Sequence, residues 1–248
     1  TVEGANIMTR SLMIFGQGAI RCHPYVLDEL AAKDADDQDA FDEAFFGHAG
    51  LVFGNAARAF TQALGIGRGD VPFDNAAAPY ARAVNRFSAA FGLASDAAMS
   101  TLGSDLKLRE LLSARLGDVL SNLYLTSMVL KNWHEGQAVE GERELMAYSC
   151  EFLLNRAEKA LDELLHNLPN RMVAGVLRAI TMPLGKRWHA PSDQRTQAIA
   201  RAISTDSALR AKLTSLTWDQ LEKKGEPFNA LAHYNQLLAD YPRADKLY

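Results

Sequence analysis

Residues 1–25 contain the side chains of this chain that are best placed for acid–base chemistry. Glu3, with Gly4 behind it, precedes apolar residues that recur at helical spacing, namely Ile7, Met8, Leu12, Met13 and Phe15. The pattern predicts a helix with Glu3 beside its N-terminal end and one buried apolar face. Glu3 is then either a residue that caps the helix and favours its dipole, or a general base whose pKa is raised by burial. Spacing alone favours the capping interpretation.

The other reactive side chains form no pattern that is typical of a metal, hydrolytic or phosphate site. The histidines make no pair at metal-ligand spacing with each other or with the cysteines, so we predict no metal site; they are His23, His48, His134, His166, His189 and His233. Cys22 and Cys150 are interpreted as two buried small hydrophobic residues, without a disulfide. The segment GIGRGD at 65–70 has no strand before it and is interpreted as a connector.

Composition indicates a globular, helical protein. The 248 residues are 48% hydrophobic and carry a net charge of -4, which gives no reason to expect nucleic-acid binding. Alanine and leucine dominate, and runs rich in valine, isoleucine and threonine are missing, so we predict an all-α fold. No apolar run approaches the ~20 residues that are needed to span a bilayer.

The apolar periodicity predicts a series of helices in two domains. A break at Gly16 and Gly18 and a restart at Pro24 are expected after the first helix. The further predicted helices are 24–33, 40–48, 51–64, 80–102, 105–133, 142–168, 193–204, 208–213 and 228–240. The three longest should pack as an antiparallel bundle. The predicted organisation is a first domain at 1–64, a linker at 65–79 and a helical bundle domain at 80–248.

A basic segment from Asn170 to His189 stands out in this acidic chain. It contains Arg171, Arg178, Lys186 and Arg187 among apolar residues, with no acidic residue. The first interpretation is a helix that packs its apolar face on the bundle while its arginines extend to water. The second is a surface that lies on a membrane or docks an acidic partner.

Several segments resemble the C-terminal part of bacterial acyl-CoA dehydrogenases of the long, fatty-acid-degradation type. They are VEGANI, IFGQGAIRCHPY, FGLASDAAMSTLGSDLK, ARLGDVLSNLYL, and LPNR followed by PLGKRW, and the resemblance covers nearly the whole chain. It implies the C-terminal helices of a dehydrogenase followed by an additional helical domain. Since the sequence begins without methionine, two residues before Glu3, we expect a fragment that is inactive alone.

The resemblance also implies a reaction and a cofactor. In that family the glutamate of a Glu-Gly motif removes the α-proton of a fatty acyl-CoA thioester, while the flavin of FAD takes a hydride from the β-carbon. Glu3 matches that base and Gly4 its neighbour, and Gly4, Ala5 and Asn6 are the expected cofactor-binding residues. Shorter-chain branches usually carry threonine after the glycine and glutamine two places later, whereas this chain has Ala5 and Ile7.

The partners implied by the resemblance are a fatty acyl-CoA substrate, an electron-transfer acceptor and further copies of the same chain. The expected location is the cytoplasm, with peripheral contact on the inner membrane through residues 170–189 as a second expectation. The alternative function is a non-catalytic helical module for oligomerisation or for docking to a membrane or a partner.

Overall fold

The structure, a computed structural model, describes residues 2–66, 70–136, 138–205 and 207–215, together with 234, 236–238 and 240, without the side chains of residues 15–17. Every regular element in these ranges is helical, which confirms the predicted all-α class. The α-helices are α1 (Val2–Met8), α2 (Ala19–Cys22), α3 (Val26–Asp34), α4 (Gln38–Ala63), α5 (Ala78–Leu102), α6 (Glu110–Glu135), α7 (Glu142–Asn167), α8 (Arg171–Thr181), α9 (Asp193–Ser204) and α10 (Ala208–Thr214).

The opening helix is continuous, and the predicted break at Gly16 and Gly18 is wrong. A π-helical segment, Thr9–Gly18, joins α1 to α2 with right-handed helical backbone on both sides. Glycine weakens a helix without forbidding it. The helix ends at His23, whose ψ is 134°, because proline forces the residue before it into an extended conformation, and Pro24 follows.

The apolar face predicted for this opening helix is also wrong. Ile7, Met8, Leu12 and Met13 are all exposed, and Ile7 retains 57% of its accessible surface. The side chain of Phe15 lies outside the described residues. Leu12 and Met13 lie in the π-helical segment, where hydrogen bonds join residues five apart, so the residues that share a face differ from those of an α-helix. The inward positions are Ser11, which is buried, and Ile14, which packs against the core.

Arg10 and Gly117 hold the π-helical segment against α6. The Arg10 guanidinium makes a two-pronged ion pair with Asp118, with Nε 2.5 Å from Oδ1. This geometry is the strong form of an arginine–carboxylate contact. A Cβ on Gly117 would lie 3.1 Å from the Arg10 carbonyl oxygen, so glycine permits the close approach.

Helix α4 is one helix, although two were predicted at 40–48 and 51–64. Asp37 is its N-cap and accepts a hydrogen bond from the Ala40 N–H at 3.0 Å. Gly50 lies inside it without a break. Ala59 and Ala63 are buried, which confirms that the small residues of this helix allow close helix packing.

The three long helices predicted between residues 80 and 168 are confirmed as α5, α6 and α7. A short 3₁₀ helix, Gly103–Leu108, separates α5 from α6, so α6 begins five residues later than predicted. One apolar core joins them; its fully buried side chains include Phe87, Leu116, Val119, Leu154, Leu161, Leu164 and Leu165.

The chain divides into two compact units. The first consists of Thr1–Leu130 and Cys150–Ala190, and the second of Lys131–Ser149 and Pro191–Tyr248. The predicted linker at 65–79 lies within the first unit. In the second unit α9 and α10 pack together, and Lys212 Nζ binds the buried carboxylate of Glu142 at 2.5 Å. Most of the helix predicted at 228–240 lies outside the described residues.

Glu158 on α7 holds the non-helical segment that follows α8. Its side chain is buried, and its Oε2 accepts hydrogen bonds from the backbone N–H groups of Arg187, at 2.9 Å, and Trp188, at 2.7 Å. The side-chain amide of Asn155 donates to the Trp188 carbonyl at 2.8 Å. A buried carboxylate needs such donors, and they fix the path of this segment over α7.

The basic segment 170–189 packs on the bundle as its first interpretation predicted. Ala174 and Leu177 of α8 are buried, and Arg178 and Lys186 both bind the Asp162 carboxylate, at 2.5 and 3.3 Å. Burial raises the pKa of Asp162, but the hydrogen bonds and charges of the two cations outweigh burial and leave that pKa below its usual range.

Candidate functional site

The residues predicted to carry the chemistry lie on an exposed helix. Glu3 is in the first turn of α1, beside its N-terminal end as predicted, and Gly4, Ala5 and Asn6 follow it in the same turns. No residue of α1 is buried. The structure therefore places these four residues in water, and their catalytic and cofactor-binding roles remain predictions.

A different group of ionisable side chains meets inside the first unit. His23 follows α2, Glu29 lies on α3, His48 on α4 and Asp96 on α5. His23 Nε2 lies 3.1 Å from Asp96 Oδ1, and His48 Nδ1 lies 2.8 Å from Glu29 Oε1. The His23 and His48 rings are 4.4 Å apart between centroids. Helices α3, α4 and α5 and the residue that follows α2 thus bring two acids and two imidazoles together.

Hydrogen bonds determine which ring nitrogen of each histidine carries the proton. His23 Nδ1 accepts the backbone N–H groups of Tyr25 and Val26, at 3.2 and 3.1 Å, so the proton of its neutral ring is on Nε2. Glu29 accepts from His48 Nδ1, so the neutral ring of His48 keeps a free lone pair on Nε2. The two rings therefore have opposite tautomers.

The carboxyl of Asp96 is held in an unusual environment. Its side chain is 8% exposed and that of His23 7%. Burial raises the pKa of Asp96 above the usual value of an aspartate, while His23 and His48 act in the opposite direction. A buried carboxyl of this kind needs hydrogen-bond donors around it.

Three polar atoms at this cluster are buried without a hydrogen-bond partner among the described residues. They are His23 Nε2, Ser95 Oγ and Asp96 Oδ2. His23 Nε2 is close to Asp96 Oδ1, but its N–H is not aligned with that oxygen. Native proteins rarely leave such atoms unsatisfied, so each requires an explanation.

Metal binding is the first explanation to test against the geometry. One ligand atom from each of His23, His48 and Asp96 lies within 4.8 Å of the other two. His48, with Nδ1 on a carboxylate and Nε2 free, has the arrangement of a typical metal ligand. His23 does not, because its Nδ1 already accepts two N–H groups and its Nε2 carries the proton. A metal would require an imidazolate at His23, so the chemistry of this donor set disfavours a metal.

His23, Ser95 and Asp96 are among the residues that line a cavity of about 450 Å³. Its remaining lining is mainly apolar, with Asn55 as a further polar residue, and comes from the π-helical segment, α2, α4, α5 and α6; the apolar residues include Ile14, Leu51, Phe91, Met99 and Leu120. A mainly apolar cavity of this size with a few convergent polar groups is typical of a small-molecule site.

The two cysteines differ, although both were predicted to be buried. Cys150 is buried, and burial raises the pKa of its thiol to about 12. Cys22 is exposed and lines the cavity, so the prediction for this residue is wrong. It is the last residue of α2, two positions before Pro24.

Sequence reasoning missed the cluster because its members lie on separate helices. No local spacing relates His23, His48 and Asp96. They come together only when the helices from α2 through α5 pack against one another. The one local signal is the His23–Pro24 pair. Proline directs the backbone of the preceding residue into the extended conformation from which a side chain can cap the next turn.

Comparison with known families agrees with the helical architecture. The chain matches the family described as acyl-CoA dehydrogenase, C-terminal, bacterial type, over residues 20–248. Since this range covers more than half of the chain, the protein belongs to that family. The matched range includes His23, His48 and Asp96 and begins after Glu3. No solved structure shows significant similarity to the chain.

The opposite tautomers of His23 and His48 can be observed directly. We expect long-range ¹H–¹⁵N correlation spectra to show His23 protonated at Nε2 and His48 at Nδ1 at a pH where both rings are neutral. Replacement of each residue by glutamine assigns the signals. The same tautomer in both rings, or protonation of His23 at Nδ1, would contradict this hydrogen-bond arrangement.

Proposed function

We propose that this chain is the C-terminal part of an FAD-dependent dehydrogenase that converts fatty acyl-CoA to trans-2-enoyl-CoA in fatty-acid β-oxidation. The observation that supports the proposal is the family match over residues 20–248. The long, fatty-acid-degradation type is proposed from the resemblance of the segments VEGANI and IFGQGAIRCHPY.

Glu3 is the proposed base. Its carboxylate would accept the proton from the α-carbon of the thioester, and FAD, when bound, supplies the acceptor for the hydride that leaves the β-carbon. A carboxylate in water is a weak base for so weakly acidic a proton. The proposal therefore requires that substrate and protein cover Glu3 in the intact enzyme and remove its carboxylate from water.

The described residues do not enclose a flavin by themselves. Gly4, Ala5 and Asn6 are exposed on α1, and a Cβ on Gly4 would meet no atom within 4 Å. We propose that they contribute one edge of a site completed by protein outside this sequence. Substrate, electron acceptor and self-association are part of the same proposal.

Replacement of Glu3 by glutamine in the intact enzyme tests the assignment. The rate of flavin reduction by acyl-CoA is measured without oxygen from the loss of flavin absorbance. We expect this rate to fall by about 10²–10⁴-fold, because glutamine cannot accept the proton. Glu43→Gln, at another exposed helical position, is the matched control and should leave the rate unchanged. Flavin reduction by Glu3→Gln within twofold of the wild-type rate would contradict the role of Glu3.

A second candidate function is attachment of the chain to an anionic membrane through residues 170–189. Met172, Val176 and Leu184 are exposed there, and Met172 retains 82% of its accessible surface. Arg171 is also exposed, but Arg178 and Lys186 are already engaged with Asp162. None of the helices in the described ranges is both long and apolar enough to cross a bilayer. Any attachment by this surface would therefore depend on the apolar side chains.

Pelleting with vesicles of anionic lipid tests this second candidate. We expect Met172→Glu combined with Val176→Glu to reduce the bound fraction about tenfold, because two apolar side chains no longer enter the interface. Leu108→Glu combined with Leu111→Glu changes two exposed apolar residues elsewhere and serves as the control. Equal binding by both double variants and the wild type would show that this surface does not attach the chain to the membrane.

A further inference from the structure

We propose that two copies of this chain associate through the exposed face of α4, with their two α4 helices antiparallel. The proposal gives a surface to the self-association named under the proposed function and rests on that part of it alone. Its tests measure mass and disulfide formation and need neither flavin nor acyl-CoA, so the dehydrogenase assignment and this surface can fail independently.

Six residues form the exposed face of α4 and of the residue that follows it, and we call them the α4 seam. They recur with alternating steps of four and three residues: Phe46, Gly50, Phe53, Ala57, Phe60 and Leu64. All six are exposed, and Phe53 retains 75% of its accessible surface. Steps of this kind are typical of a coiled coil, in which apolar side chains of one helix pack between those of a second helix.

The α4 seam faces away from the core. The buried residues of α4 are Ala44, Asn55, Ala59 and Ala63, and with 3.6 residues per turn they lie on the other side of the helix. A Cβ on Gly50 would meet no atom within 4 Å, so the seam is open at its small residues as well. A continuous exposed apolar patch of this kind marks an interaction site.

Charged side chains are nearly absent along the α4 seam. From Ala44 to Ile66 the sequence contains no acidic residue and a single arginine, Arg58. The guanidinium of Arg58 donates to the side-chain oxygen of Asn55 at 2.7 Å. Helices that lie on an anionic membrane carry several lysines and arginines beside their apolar face, so a protein surface fits this seam better than a membrane does.

The alternation of large and small side chains indicates a second copy of the chain and the direction of its helix. In a parallel pair equal positions face each other, so Phe53 would meet Phe53 and Gly50 would meet Gly50. In an antiparallel pair Phe53 meets Ala57 of the second copy. By the same pairing Phe60 meets Gly50. Each phenylalanine then fills the space beside a small residue, as close packing of two helices requires.

The area of the α4 seam is sufficient for a weak but specific dimer. Phe46, Phe53 and Phe60 are 69%, 75% and 42% exposed. At about 200 Å² for each side chain, they lose roughly 370 Å² per copy on association. With Gly50 and Leu64 included, two copies bury on the order of 1,000 Å², which is the lower limit for a specific interface. We therefore expect a dissociation constant in the micromolar range.

Sedimentation equilibrium of the full chain tests the association. We expect a monomer–dimer equilibrium at micromolar concentrations, and Phe53→Glu should raise the dissociation constant at least tenfold, because both copies then place a charge in the apolar contact. Tyr124→Glu changes an exposed aromatic residue of α6 and should leave the equilibrium unchanged.

Gly50→Leu separates this packing from general apolar adhesion. Leucine adds apolar surface and favours the helix, so at concentrations where the chain is monomeric this variant should unfold at a temperature no lower than the wild type does. It also fills the space that receives Phe60 of the second copy. We therefore expect its dissociation constant to rise at least tenfold, whereas general adhesion would be strengthened.

Disulfide formation tests the direction of the pair. Gly50→Cys and Phe60→Cys are each made in a chain with Cys22→Ser, since Cys22 is exposed; Cys150 is buried and is retained. The antiparallel arrangement predicts a disulfide between the two variants when they are mixed and oxidised, and none between two copies of either variant alone.

Three results would overturn the proposal. The first is a wild-type chain that stays monomeric at the highest concentration reached, including one that instead binds lipid vesicles through Phe53. The second is a Gly50→Leu or Phe53→Glu variant that associates as tightly as the wild type. The third is disulfide formation between two copies of the same cysteine variant, which would indicate a parallel pair.

Discussion

Buried carboxylates require partners, and much of this structure follows from how two of them are satisfied. Glu158 on α7 accepts the backbone N–H groups of Arg187 and Trp188, and so fixes a segment that has no helical hydrogen bonds of its own. Asp96 on α5 lies against His23, whose ring in turn caps the turn that leads into α3. In both places a charge on a long helix organises a non-helical connection.

Each of the two carboxylates has one buried oxygen without a hydrogen-bond partner among the described residues, Glu158 Oε1 and Asp96 Oδ2, and the sites differ in the partners of the other oxygen. At Glu158, the oxygen Oε2 accepts hydrogen bonds from two backbone N–H groups. At Asp96 the neighbouring donors are only partly aligned, and the side chains face a mainly apolar cavity. Buried polar groups that lack hydrogen-bond partners lower the stability of the folded state. Membership of the acyl-CoA dehydrogenase C-terminal family explains the helical scaffold, but it does not by itself explain this cavity.

The sequence was sufficient for the long helices but not for the site. Leucine and alanine at 3.6-residue spacing placed α5 and α7 within about two residues, and Ser192 before Asp193 marks the start of α9 by its side-chain cap. Errors arose where local rules compete: the glycines near Gly18 and at Gly50 were tolerated inside helices, whereas Pro24 ended one. The His23–Asp96 contact could not be predicted, since it exists only after α2 and α5 have packed. The apolar face expected on residues 7–13 is absent: Leu12 and Met13 lie in the π-helical segment, where the α-helical period does not apply, and Ile7 and Met8 lie in α1, which has no buried residue.

Native-state hydrogen exchange tests the central claim most directly. The claim is that the buried carboxylate of Glu158 on α7 fixes the segment after α8. The account predicts that the amides of Arg187 and Trp188 exchange about as slowly as those in the core of α7. In Glu158→Gln their opening free energy should fall by about 2 kcal/mol, whereas Lys159→Gln, one position away and exposed, should leave it unchanged. Exchange of these two wild-type amides at the rate of an exposed loop would contradict the account.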